Sequence, residues 1–322
     1  MTTPTYRPRS VAITGGVGNL ATKLIDHLIQ HTHIPRIIGL DIVAPLPERV
    51  AQIDALRRTV ATHRPPPDIS FVTCDLADWH DLRWRDAIAS VEAVVHFAAQ
   101  NPYPEATWAE VGASYDMTLH VANAAADSPT VDRFVFATSN HVMGRYKDAP
   151  LADQTGPGEL RPNSEPGVGT VWHTGEQWMD STPYATAKFA GERLCRSLAE
   201  RSQGQTSFVA IRIGWCQPGA NRPETLSASG SPTLKLGALP PGLDPADFDR
   251  ADRWFREMWL SNRDFVQIFE KAICTSSEDW PSPFLLVNGM SANTGMKWSL
   301  DETKKYLGYQ AQDDVYQKKN DE

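Results

Sequence analysis

The sequence predicts an α/β fold: a doubly wound parallel sheet with helices on both faces, followed by a smaller C-terminal lobe. Three observations carry that expectation. Apolar β-rich runs alternate with amphipathic runs from residue 9 to about 213, the pattern of strands each returned by a helix. The first apolar run, Val11-Ala12-Ile13-Thr14, ends in the turn Gly15-Gly16-Val17-Gly18, and an amphipathic run from Leu20 to Ile29 follows. Far downstream, Tyr184 and Lys188 stand four residues apart, a spacing that puts both on one helix face.

Strands are expected near 10–14, 36–41, 69–73, 92–97, 132–138 and 207–213, and helices near 18–31, 48–63, 80–88, 105–126 and 182–203. His31 and His33 fall at the end of the first helix, where positive charge is favoured. Arg36-Ile37-Ile38-Gly39-Leu40 forms the second strand and closes on Asp41. Pro65-Pro66-Pro67 is a stiff break before the third strand, Asp68 to Val72. Later in the chain Ser261 is the N-cap and Asp264 the capping acid of a helix to about Cys274. Phe284 to Asn288 is a late strand, and 298–308 a closing helix with Gly308 as its C-cap.

Two stretches exceed what a minimal sheet needs. Residues 146–181 are rich in Gly, Pro and Asp and carry Trp172, His173 and Trp178; residues 217–253 are again rich in Pro and Gly. Loops this long are functional or flexible, and 146–181 is placed to cover the open side of a site. The expected division is 9–216 as the nucleotide-binding unit, with 146–181 inserted and 262–290 returning to it, and 217–261 with 291–322 as the smaller lobe.

Composition narrows the function. The chain has 322 residues, 41% hydrophobic, and a net charge of −8, which argues against a nucleic-acid partner. No run approaches the ~18 apolar residues of a membrane span, and Met1 to Ser10 has no apolar leader core. A soluble cytoplasmic protein without a membrane partner is expected. Cys74, Cys195, Cys216 and Cys274 are scattered without paired spacing, and the nine histidines form no ligand pattern, so no metal is expected. Of ten tryptophans, Trp172, Trp178 and Trp215 sit in loop or strand-end contexts. Each suits a flat face against a sugar ring and equally suits packing under a long loop.

The two motifs carry chemistry. Gly15 and Gly16 permit a tight turn, and Gly18 lets the backbone approach a pyrophosphate at the N-terminus of the helix that Asn19 and Leu20 begin. Asp41, about 20 residues on, is placed to bind ribose hydroxyls and repel a 2′-phosphate, which points to NAD. Lys188 beside Tyr184 lowers the phenol pKa, so that the tyrosine serves as a base near neutral pH.

With both motifs in place the chain resembles, over nearly its whole length, the extended short-chain dehydrogenase/reductase family within the NAD-dependent epimerase/dehydratase superfamily. Thr14 to Ala21 is similar to the family's Thr-Gly-x-x-Gly-x-x-Gly, with Ala21 the one departure. Cys74-Asp75-Leu76 resembles its adenine-side element, His96-Phe97-Ala98-Ala99 its strand-four motif, and Ser139 sits where its catalytic serine sits. The resemblance implies a Rossmann sheet with a substrate-binding C-terminal lobe. It implies NAD held by Gly15, Gly18, Asn19, Leu20, Asp41, Asp75, Leu76, Ala98, Ala99 and Lys188, and Ser139, Tyr184 and Lys188 as the catalytic set.

Within that family, Phe136 to Gly144 resembles the Ser-Asn-His-x-x-Gly segment of uronate dehydrogenases. Ile211 to Pro218 resembles their Arg-Ile-Gly-Ser-Cys-x-Pro, and Trp259 to Phe265 their Trp-(Leu/Phe)-Ser-x-x-Asp-Phe. This implies oxidation of C1 of a hexuronic acid to an aldarolactone. The substrate residues it implies are Asn101, Ser139, Asn140, His141, Trp215 and Arg222, with Arg222 on the carboxylate. Trp215 replaces the family's serine, Asn101 stands by position for another serine, and the two long stretches are additional, so the expectation widens to a related acidic sugar. A nucleotide-sugar epimerase or dehydratase shares the fold, the catalytic set and NAD. A dehydratase carries an acidic pair beside the serine, however, and Thr138 and Asn140 are not acids. A non-catalytic cofactor sensor commonly loses the tyrosine or lysine, and both are present. Family analogy implies a homodimer or higher oligomer through the Tyr184 helix and the 105–126 helix, using Ala187, Ala190, Leu194 and Leu198.

Overall fold

The computed structural model describes residues 5–100, 106–174, 177–226 and 244–317. The chain runs β1 (Ser10–Thr14), α1 (Asn19–His31), β2 (Arg36–Asp41), α2 (Pro47–Ala61), β3 (Asp68–Thr73), α3 (Leu82–Ala89), β4 (Ala93–His96), α4 (Trp108–Asp127) and β5 (Arg133–Ser139). It continues with β6 (Val171–His173), β7 (Trp178–Asp180), α5 (Thr182–Arg201), β8 (Ser207–Ile213), α6 (Pro245–Glu257), α7 (Asn262–Cys274), β9 (Phe284–Gly289) and α8 (Asp301–Leu307). Seven strands pair in parallel in the order β3-β2-β1-β4-β5-β8-β9.

Every residue of β1, β4 and β5 is buried, as strands covered on both faces must be. Leu24, Leu28, Ile268 and Phe269 close one face, from α1 and α7. Trp84, Val121, Cys195 and Leu198 close the other, from α3, α4 and α5. The strand order reverses between β1 and β4, which opens a crevice beyond their C-terminal ends. None of the described helices is long and apolar enough to cross a membrane.

Local chemistry sets the helix ends. α4 starts at Trp108, three residues later than expected, because Thr107 and Glu110 form a reciprocal capping box. Ser261 caps α7 by accepting from Asp264 N at 3.0 Å. Asp264 does more than cap: fully buried, it accepts from Ser291 Oγ at 2.7 Å and from the amides of Gln312 and Asp313. Gly308 ends α8 in the left-handed conformation.

Helix α6 was not expected from the Pro/Gly content of 217–253. Asp244 caps it through Ala246 N, Pro245 opens it, and Phe248, Ala251, Trp254 and Phe255 fall on one buried stripe. That stripe joins Val142, Met143, Trp172 and Trp298 in a third core. Residues 146–181 are pinned into the molecule. Leu160 N donates to Lys297 O at 2.8 Å, Ser299 N to Leu160 O at 3.0 Å, and Arg145 N to Gly167 O at 2.8 Å.

Candidate active site

A cavity of about 1080 Å³ runs beyond the C-terminal ends of the strands, from Asp41 and Asp75 at one end to Trp215 and Arg222 at the other. Every expected site residue lines it except Asn101, which lies outside the described residues.

At the first end, Gly15 has φ +65°, and a Cβ there would lie 3.3 Å from Ala98 N. Only glycine suits both conditions. Thr14 Oγ1 accepts from Phe97 N at 3.0 Å and Ala98 N at 3.1 Å, which draws Ala98 and Ala99 against the turn. His96 Nδ1 lies 2.8 Å from the same oxygen. Burial, with the charge of Lys188, drives the His96 imidazole down to about 3, so it is neutral. Gly18 is the N-cap of α1, and Leu20 packs against the first core. Asn19 Nδ2 donates to Cys216 O at 3.1 Å. Asp41 Oδ2 accepts from Val17 N at 3.0 Å, which seats the carboxylate at the turn. Arg49 of α2 pairs with Asp26 at 2.7 Å on α1. Asp75 Oδ1 accepts from Ala77 N, and Leu76 is buried with its carbonyl held by His120.

The expected catalytic set, Ser139, Tyr184 and Lys188, meets where β5 ends. Ser139 Oγ accepts from His141 N at 3.2 Å. Tyr184 faces it from α5, and burial raises the phenol to about 12 against a lowering hydrogen bond with Ser139. The expected lowering by Lys188 is not found. Its Nζ donates to Ala137 O at 2.9 Å and lies 5.8 Å from the Tyr184 ring centre, while burial lowers the ammonium to about 8. The shared helix face is as the spacing implied, and burial is the dominant influence on the phenol.

At the far end, Asn140 Nδ2 donates to Ile213 O at 3.0 Å, which uses one of its two N–H groups. His141 is buried with Nδ1 between Thr170 and Ser181. Trp215 packs edge-on to Phe255 at 5.6 Å, and its backbone bonds both Met258 O and Leu260 N. Of the three loop tryptophans, Trp172 is buried on the cavity wall and Trp178 is 64% exposed away from it. Asn221 clamps the final loop: its Oδ1 accepts from Gln217 N and Trp259 Nε1, each at 3.0 Å, and its Nδ2 donates to Leu260 O. Arg222 follows, exposed at the cavity rim, with no side-chain partner among the described residues.

Sequence reasoning missed three contributors. Phe255 and Met258 line the cavity, and their signal was the Asp244-Pro245 helix start with its apolar spacing. Lys23 donates to Gln217 O at 2.5 Å and Asn262 Oδ1 at 2.6 Å, tying α1 to the loop after β8. A single lysine on an amphipathic helix carries no sequence signal of that kind.

Fold and site together define a dinucleotide-binding α/β protein with a Ser/Tyr/Lys set. Residues 11–168 match the NAD dependent epimerase/dehydratase family. An L-arabinose 1-dehydrogenase (NAD(P)(+)) from Haloferax volcanii is 31% identical over 94% of this chain and 96% of its own length. An NAD-dependent glucose-6-phosphate dehydrogenase from the same organism is 30% identical over 80% of this chain and 82% of its own. Among solved structures, a mutated uronate dehydrogenase superposes with a TM-score of 0.61 at 20% identity, covering 96% of this chain and 83% of that one. The chain belongs to the NAD-dependent epimerase/dehydratase family, and its cofactor is NAD. The residues present fit that cofactor: a backbone turn that a Cβ would block, and an Asp41 carboxylate at the end of β2.

Proposed function

We propose that the protein is an NAD-dependent dehydrogenase that oxidises C1 of an acidic sugar, a uronate or related acidic aldose, to its lactone. The observation that carries this is the convergence, in one cavity, of the Ser139–Tyr184 pair and the Arg222 guanidinium, which has no side-chain partner among the described residues. A planar guanidinium meets a carboxylate through two parallel bonds. Sequence relatives that act on arabinose and glucose 6-phosphate support a sugar dehydrogenase. Of the smaller lobe expected at 217–261 and 291–322, Gln217, Asn221, Arg222, Phe255 and Met258 line the sugar end of the cavity, and no described residue of 291–317 does.

Gly15, Gly18, Asn19, Leu20, Asp41, Asp75, Leu76, Ala98 and Ala99 hold the cofactor, with Lys188 on the ribose. When bound, NAD supplies the acceptor for the hydride that leaves C1. Ser139 bonds the C1 oxygen and orients it. Tyr184, reacting as its phenolate, takes the hydroxyl proton as the C1–H bond breaks and the C=O bond forms. Burial opposes the phenolate, so the Ser139 hydrogen bond is the residue-level contribution that favours proton acceptance.

The test is a panel of free aldoses, uronates, sulfonated sugars and nucleotide sugars, read by NADH absorbance, for wild type and Arg222→Ala. The expected result is turnover of an acidic sugar, with its KM raised about thirtyfold in the variant through loss of a charged hydrogen bond and neutral sugars little changed. Equal effects on acidic and neutral sugars would assign Arg222 a structural role. Turnover of nucleotide sugars alone would make the protein an epimerase or dehydratase.

A further inference from the structure

The segment between β5 and α5 does more than bridge them. We propose that Thr170 and Ser181 are positioning residues that fix His141 as a neutral Nε2–H donor toward the cavity, so that the site selects an acceptor oxygen on the bound sugar. The ligand rests on the sugar dehydrogenase reading above; the tautomer does not.

His141 Nδ1 lies 2.8 Å from Thr170 Oγ1 and 2.9 Å from Ser181 Oγ. Ser181 Oγ accepts from Thr170 N at 2.8 Å and reaches Thr170 O at 3.3 Å, so it has an acceptor for its own proton. Thr170 is fully buried, and among the described residues its hydroxyl has no partner except His141 Nδ1. A buried hydroxyl proton needs an acceptor. Nδ1 is therefore the acceptor, and the proton of the neutral ring sits on Nε2. The opposite tautomer would leave the Thr170 hydroxyl proton without a bond.

No described residue engages Nε2, and His141 lines the cavity. Asn140 Oδ1 and Trp172 Nε1 are buried without a partner among the described residues. The imidazole is surrounded by rings: Tyr184 edge-on at 6.0 Å, Trp172 at 6.1 Å and Phe255 at 6.2 Å. None is charged, and burial lowers the imidazole to about 3, so the donor stays neutral.

Two glycines make the arrangement possible. A Cβ at Gly144 would collide with Thr170 Oγ1, and Gly169 has φ +91° while its amide donates to His141 O at 3.0 Å. This gives Gly144 a role beyond its turn: it leaves room for the hydroxyl that reads Nδ1.

The experiment is ¹⁵N NMR of the histidine-labelled wild-type protein, with His141→Gln used to assign the signal. The expected result is the Nε2-protonated tautomer without any sugar present. In Thr170→Val/Ser181→Ala, Nδ1 loses the Thr170 donor and the second hydroxyl that faces it. The signal should become a tautomer mixture, and the sugar KM should rise about tenfold while kcat and the KM for NAD change less than about twofold. Thr170→Ser, which keeps the hydroxyl, should restore both readouts. A wild-type ring protonated on Nδ1, or a double variant with unchanged tautomer and KM, would overturn the proposal. If the double variant fails to fold, the wild-type and Thr170→Ser spectra still decide it. If no sugar is oxidised, the function assigned above fails while the spectrum still decides the tautomer.

Discussion

Tyr184 shows what one residue's surroundings add to its spacing. Four residues separate it from Lys188, and the helix does bring them to one face. Yet burial raises the phenol, and the lysine is engaged with the Ala137 carbonyl. Tyr184→Phe is expected to lower kcat by about 10²–10⁴ while NADH binding, followed by fluorescence titration, is unchanged. Turnover near wild type would place the base elsewhere. Asp41 was legible because an acid ending the second strand has one main use in this motif. Its carboxylate is seated at the glycine turn, and Arg49 is held away by Asp26. NADP is therefore expected to be used at least about tenfold less efficiently than NAD in kcat/KM, since like charges at close range cost affinity. Equal values would show that the 2′-phosphate finds a cation not assigned here.

At the scale of elements, strands, caps and the glycine turn followed local rules, and the long connections did not. The segment 146–181 has no period of its own, and its conformation is set by distant partners. One of these is the buried pair of Arg212 on β8 and Glu192 on α5. Their side chains are 1% and 3% exposed, with bonds of 2.9 and 2.8 Å. Thr138 donates to the same carboxylate, and Arg212 also donates to Pro162 O in the long segment. Arg212 carried a sequence resemblance to a substrate motif, but its buried contacts are structural. Removing one partner strands a buried charge. Arg212→Leu is expected to cost about 3–5 kcal/mol in urea unfolding. A loss below about 1 kcal/mol would mean that water reaches Glu192 and relieves it.

For the whole molecule, α4 and α5 pack side by side on one face of the sheet. Leu198 is buried in the core, whereas Leu194 is only partly covered, and Ala187 and Ala190 are half-buried. A homodimer through these two helices is expected, and sedimentation at micromolar concentration should give twice the mass of 35.7 kDa. A monomer there would exclude it. In that case the half-buried apolar face would be ordinary surface.

What the sequence by itself determined are the features whose cause is local or periodic. The parallel sheet follows from alternating apolar runs, the nucleotide turn from glycines that tolerate a positive φ, and the pairing of Tyr184 with Lys188 from spacing on one helix. Ser261 as a cap and Gly308 as a stop are of the same kind. Only the tertiary structure decided which way competing terms fell. Burial, not the neighbouring ammonium, sets the Tyr184 phenol, because desolvation depends on what surrounds a group from every side. Helix α6 owes its place to Trp172 and Trp298, aromatic partners distant in sequence. His141 faces the cavity through one nitrogen because Thr170 and Ser181, 29 and 40 residues away, take the other. Hydrogen bonds over such separations leave no period in the chain, since the fold alone brings their partners together.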